Sequence, residues 1–172
     1  MIWIMGPGRC GTTFLWELFR NLGYDTGTEA EFLRANEGRL DWVSFPRVIK
    51  GTGGLCINFR KHTAGRPIEH VFLCVRAFEP MLESHLKMKY GRGQYRGMSL
   101  EELRARLVEE IPATMGWGLL HAFQHPHSIV SFPASAVNSD YLFKLMSRAG
   151  YAHDRTHFER AWQNTVKPEL IR

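Results

Sequence analysis

The sequence predicts an α/β fold, a parallel sheet of about four to five strands with helices on both faces. Two observations carry that expectation. Short β-rich runs alternate along the chain with segments of helical spacing, and the longest run, His70-Val71-Phe72-Leu73-Cys74-Val75-Arg76, is nearly all apolar, as a strand buried on both faces must be. At 172 residues the chain is long enough for a single domain, residues 1–172, to bury a core without disulfides or a structural metal.

Ile2-Trp3-Ile4-Met5 ends at Gly6 and reads as the first strand, after which Phe14, Leu15, Leu18, Phe19 and Leu22 recur at helical spacing. Arg47-Val48-Ile49-Lys50 ahead of Gly51 is the second strand, His70 to Arg76 the third and Ser128-Ile129-Val130-Ser131-Phe132 the fourth. A helix is expected from Pro80 to Tyr90, since proline suits the first helical position. Ser99 and Glu102 form a capping box that opens a helix running to Ile111, and a separate helix follows from Ala113 to Gln124. Asn138 or Ser139 caps a helix carrying Tyr141, Leu142, Leu145 and Met146 and closing at Gly150, and His157 to Asn164 forms a last short one. Asp25–Phe45, Thr52–Pro67 and Gly91–Met98 are rich in glycine and charge and read as loops or lids over the strand ends. Sheets of this type bind their ligands there.

Lys and Arg number 22 against 17 Asp and Glu, a formal charge of +5, which favours an anionic ligand. The basic residues are scattered, and no zinc-finger or RNA-recognition signature accompanies them, so a nucleic-acid partner is not expected. Cys10, Cys56 and Cys74 are odd in number and lack CxxC spacing, which points to reduced thiols and a cytoplasmic location. The opening Met1–Met5 is apolar for five residues only and has no basic flank, so neither a signal peptide nor a membrane span is expected. His121 and His125, like His153 and His157, are four apart but have no supporting acidic partner, and no metal is expected.

Gly6-Pro7-Gly8-Arg9-Cys10-Gly11-Thr12-Thr13 follows a strand and opens a helix, the context in which a glycine-rich loop cradles phosphate. Glycines let the backbone wrap an anion while the N–H groups of the first helical turn point at it. The fold expected is therefore P-loop NTPase-like. In nucleotide kinases and GTPases the loop carries a lysine before its hydroxyl residue, and a strand-end carboxylate holds magnesium. Here Thr12 stands in the lysine position, and neither His70–Arg76 nor Ser128–Phe132 ends in Asp. Such a loop suits an anion transferred without magnesium.

The residues resemble the sulfotransferases that use 3′-phosphoadenosine 5′-phosphosulfate (PAPS). Their loop commonly reads P-[RK]-S-G-T-T, and Pro7-Gly8-Arg9-Cys10-Gly11-Thr12-Thr13 is similar, with one residue inserted and Cys10 in the serine position. The resemblance implies that Gly8 to Phe14 is the cofactor-binding segment, with Arg9 at the transferring sulfuryl group, Gly11, Thr12 and Thr13 at the 5′-phosphate and Phe14 against the adenine. The family also closes its third strand with an arginine and places a serine eight residues on, and these bind the 3′-phosphate; Arg76 and Ser84 have that spacing, although the accompanying proline is displaced to Pro80. A guanidinium at a strand end grips phosphate bidentately, and Ser84 lies near a helix start. Arg47-Val48-Ile49-Lys50-Gly51-Thr52 is similar to the R-[VI]-I-K-T-H stretch of the cytosolic members, which implies that Lys50 lies near the sulfuryl group.

The cytosolic members take the acceptor proton with a histidine two residues past that lysine, where this chain has Thr52. Other branches use a glutamate roughly twenty residues past the loop arginine. Glu29 stands in that place, with Glu31 second and His62 or His70 as further alternatives. The function implied is transfer of a sulfuryl group from PAPS to a hydroxyl or amine of a small-molecule, glycan, peptide or lipid acceptor, with no metal. Two alternatives remain open on the sequence: a small-molecule or nucleotide kinase of the same fold, and a degenerate nucleotide-binding module without catalysis.

Overall fold

The computed structural model describes residues 1–28, 46–52, 66–90 and 95–166. Strand β1 (Ile2–Gly6) is buried along its whole length because it has a parallel neighbour on each side. Ile2 is in register with Val48 of β2 (Val48–Thr52) and with His70 of β3 (His70–Val75), and β4 (His127–Ser131) lies outside β3 with His127 opposite Val71. All pairs are parallel and the order is β2-β1-β3-β4, so the fold is α/β with an all-parallel four-stranded sheet, compatible with a P-loop arrangement. The chain leaves β1 to one side and returns to the other, and the carboxyl end of β1 therefore opens at the point where strand order reverses.

The helices are α1 (Thr12–Asn21), α2 (Phe78–Lys89), α3 (Leu100–Ala122), α4 (Ala134–Val137), α5 (Ser139–Arg148) and α6 (Arg155–Thr165). Alternation along the strands divides the core in two. Ile2, Ile4, Val48, Phe72, Cys74 and Val130 face α1, which brings Phe14, Leu15, Leu18 and Phe19, and the layer is completed by Leu142, Met146 and Phe158 of α5 and α6. Trp3, Met5, Ile49, Val71 and Leu73 face the opposite way, against Met115, Leu119 and Ala122 of α3. Each large apolar side chain so buried contributes about 1.5–3 kcal/mol. Cys10 and Cys74 are both buried. Among the described residues, no helix is long and apolar enough to cross a membrane.

The strands fall where the sequence places them to within a residue or two, but two helices differ. The helix expected to begin at Pro80 begins at Phe78, so Pro80 sits third in α2. That position is tolerated because the first four N–H groups of a helix have no partner within it. The two helices expected to meet near Pro112 are one continuous α3 with Pro112 inside. A break at Pro112 would cost the contacts that Ile111 makes on one side of it and Met115 and Leu119 on the other, and these outweigh one missing hydrogen bond. The capping box forms as expected: the Ser99 hydroxyl accepts from Glu102 N at 3.1 Å and the Glu102 carboxylate accepts from Ser99 N at 2.7 Å. Asn138 caps α5 through its side-chain oxygen, which accepts from Tyr141 N, and Gly150 follows α5 at φ 82°. α4 and the Asp154 cap of α6 were not anticipated.

Candidate functional site

The chain leaves β1 at Gly6 and enters α1 through a turn in which Arg9 (φ 68°) and Gly11 (φ 96°) are left-handed. Glycine at 11 is required twice over: by its dihedral, and because a Cβ there would lie 2.6 Å from Cδ2 of Phe132. Arg9 has no such freedom, and its conformation costs of order 1–2 kcal/mol. Gly11, at the head of α1, offers no side-chain cap, and the first turn carries no acidic residue. The N–H groups of that turn therefore face outward with the positive end of the helix dipole behind them.

Three elements deliver side chains to this turn. From α2, the Ser84 hydroxyl accepts a 2.8 Å hydrogen bond from Arg9 Nε. From the end of β3, Arg76 Nη1 donates to the Arg9 carbonyl oxygen at 3.2 Å, and the guanidinium stands 5.3 Å from the Phe132 ring centroid. From β2, Lys50 Nζ donates to Thr13 Oγ1 at 3.1 Å and lies 4.9 Å from the Trp16 ring centroid. Between Arg9 and Arg76 is a cavity of about 50 Å³ that Thr12, Thr13, Phe14 and Phe132 also line. Several water molecules, or one tetrahedral oxyanion, fill such a volume.

The electrostatics of the cavity are those of an anion site. Two guanidiniums face it and no carboxylate is among its described lining residues. Burial, and after it the positive charge of Arg9, lowers the pKa of Arg76 from the usual guanidinium value, although the group stays protonated at any physiological pH. Arg76 Nε is buried and has no hydrogen-bond partner among the described residues. Two like charges held together beside an uncapped helix end are stabilised by an anion.

Of the residues singled out in the sequence, Arg9, Gly11, Thr12, Thr13, Phe14 and Arg76 line one cavity, and Ser84 and Lys50 are hydrogen-bonded to it. Cys10 is fully buried in the core and is not among the residues that line the cavity. Gly8 turns the other way, toward His85 of α2. Glu29, Glu31 and His62 lie outside the described residues. His70 is a correction: it begins β3, at the end of the sheet remote from the loop, where its Nε2 pairs with Ser128 Oγ at 2.9 Å, and it cannot reach a ligand held at the strands' carboxyl ends. Trp16 is likewise committed elsewhere, donating to Thr26 O at 3.1 Å.

Two residues at the loop were missed. Phe132, directly after β4, is the ring under the loop, and its place at a strand's carboxyl end was the available signal. His85 is packed on the loop from α2, where Met81, Leu82, His85 and Leu86 form the buried stripe; that spacing was the signal for it. No family model matches this chain, and no curated protein matches it.

Proposed function

We propose that the chain is a PAPS-dependent sulfotransferase, moving a sulfuryl group to a hydroxyl or amine acceptor. The observation that supports this best is that the glycine loop and the Arg76–Ser84 pair, two signatures far apart in sequence, converge on one cavity. The residues fit the nucleotide. The Arg76 guanidinium, which lines the cavity, and the Ser84 hydroxyl suit a 3′-phosphate, and the uncapped first turn at Gly11, Thr12 and Thr13 suits a 5′-phosphate.

PAPS supplies an activated sulfuryl group on a good leaving phosphate. The protein's task is to hold the donor and the acceptor in line and to meet the charge that develops during transfer. Arg9 is preset for the second task by its strained backbone and by its bond to Ser84, which fixes the guanidinium before any ligand arrives. Lys50 adds a second cation one strand away, against Thr13. Glycan, peptide, lipid and small-molecule acceptors are all compatible with this arrangement.

Calorimetric titration with adenosine 3′,5′-bisphosphate and with ATP, each with magnesium and with EDTA, tests the reading. Metal-independent binding of the bisphosphate is expected, and Arg76→Ala is expected to weaken it by about 2 kcal/mol or more, the cost of losing a charge-assisted phosphate contact. Preference for magnesium ATP would favour a kinase, and binding of neither nucleotide would overturn the assignment.

A further inference from the structure

Both peptide units that flank Arg9 are held by side chains from other elements. Arg76, just past β3, donates from Nη1 to the Arg9 carbonyl oxygen at 3.2 Å. His85 of α2 holds the unit before it, with its Nε2 2.7 Å from the Gly8 carbonyl oxygen. A carbonyl oxygen only accepts, so Nε2 carries the proton of this contact. The ring is buried, and it stands on a helix that Met81, Leu82 and Leu86 anchor in the core. Glycine at residue 8 makes the approach possible: a Cβ there would come within 2.8 Å of His85 Cε1 and push the ring from the carbonyl.

Arg9, at φ 68°, is in a conformation that a residue with a side chain readily leaves. A half-turn of the peptide unit between residues 8 and 9 relieves it. Tight turns that differ by that rotation have positive φ at the following residue in one form and negative φ in the other. In a planar trans peptide the C=O and the next N–H point in opposite directions. With the Gly8 oxygen on His85, the Arg9 N–H therefore points away from the ring, and the half-turn exchanges the two. Arg9 lines the anion cavity, whereas Gly8 and His85 line a separate one, of about 140 Å³, across the loop. The half-turn would thus bring a carbonyl oxygen, the negative end of the peptide dipole, toward the anion's side.

Resting on the sulfotransferase reading for the identity of the anion, we propose that His85 is a positioning residue of the anion site. Its Nε2–H holds the Gly8 carbonyl off the anion and keeps Arg9 in the left-handed conformation that binding requires. Ser84, the residue before it, accepts from Arg9 Nε, so consecutive residues of α2 set the loop's backbone and its cationic side chain. Burial, followed by the positive charge of Lys89, lowers the His85 pKa to about 4. The ring is neutral at pH 7 and has a single N–H, which the Gly8 oxygen takes.

His85→Gln keeps an N–H donor, and His85→Leu fills the space without one. Both variants and the wild type are titrated with adenosine 3′,5′-bisphosphate by calorimetry and are crystallised without nucleotide. His85→Leu is expected to bind about tenfold more weakly than wild type, as when about a tenth of the molecules hold the competent loop. Its crystal structure is expected to show negative φ at Arg9, with the Gly8 oxygen turned from α2. His85→Gln is expected to recover binding to within about threefold of wild type and to keep Arg9 left-handed. Undiminished binding by His85→Leu, or a left-handed Arg9 in its crystal structure, would overturn the proposal. Equal weakening in both variants also overturns it, since the shape of the ring and not its hydrogen bond would then hold the loop. Wild type that binds no bisphosphate overturns the sulfotransferase reading itself, and the crystal structures then decide the role of His85 by themselves. If His85→Leu does not fold, ¹⁵N-histidine NMR of the wild type decides: a proton on Nε2 supports the proposal, and a proton on Nδ1 alone overturns it.

Discussion

Arg9 and Ser84, on the loop and on α2, are joined by a 2.8 Å hydrogen bond from the guanidinium Nε to the hydroxyl oxygen. The bond ties the glycine loop to α2, whose next residue, His85, packs on Gly8, so loop and helix form one rigid unit. It is exposed, and its contribution to folding is small. Its value lies in holding a flexible, rotamer-rich side chain ready for a ligand. Ser84→Ala is therefore expected to leave the denaturation midpoint nearly unchanged while weakening bisphosphate binding by about 1 kcal/mol, roughly fivefold, in calorimetry.

Gly11 and Gly150 both have positive φ, at 96° and 82°, but differ in their surroundings. A Cβ at Gly11 meets the Phe132 ring at 2.6 Å, and one at Gly150 meets nothing within 4 Å. Gly150→Ala should cost only the backbone penalty, about 1 kcal/mol. Gly11→Ala adds overpacking against a buried ring and should cost about 2–4 kcal/mol in urea denaturation. Equal losses would show that Phe132 gives way freely and is not fixed beneath the loop.

Strands β1 and β3 could be read from sequence because central parallel strands are buried on both faces and form short, nearly continuous apolar runs; β4, a half-exposed edge strand, was legible from its β-branched Ile129 and Val130 instead. The unbroken α3 could not be read in the same way. Proline is a strong local signal against helix, and what overrides it is packing of Met115 and Leu119 on Trp3, Met5 and Leu73, contacts that exist only after folding. The site divides similarly. Arg9, Gly11 and Arg76 were legible because glycine spacing and a strand end announce them. Phe132 and His85 owe their roles to tertiary approach: one ring lies under Gly11, the other against Gly8.

The Ser99 side chain is exposed, yet it begins the helix that supports one face of the sheet. Its hydroxyl satisfies Glu102 N, and its own N–H is satisfied by the Glu102 carboxylate. Ser99→Ala removes the first of these bonds and should destabilise the protein by about 1 kcal/mol. Ser99→Asp restores a capping acceptor and should recover most of that loss, which urea titration of the two variants measures directly.

His85 also makes stability depend on pH, in a direction set by burial. In the unfolded chain its pKa is the ordinary 6.5, and in the folded protein it is about 4. Between these values the unfolded chain binds a proton that the folded protein refuses. Stability is therefore full above pH 6.5 and falls as pH drops toward 4, by up to about 3 kcal/mol from this residue. His70, also lowered chiefly by burial, acts in the same direction. Its share is present in wild type and in His85→Gln alike and cancels when the two are compared. The difference in unfolding free energy between them, measured in urea at pH 7.5 and at pH 4.5, should shift in favour of the glutamine variant at the lower pH. A difference independent of pH would mean that the His85 ring takes up its proton as readily in the folded protein as in the unfolded chain.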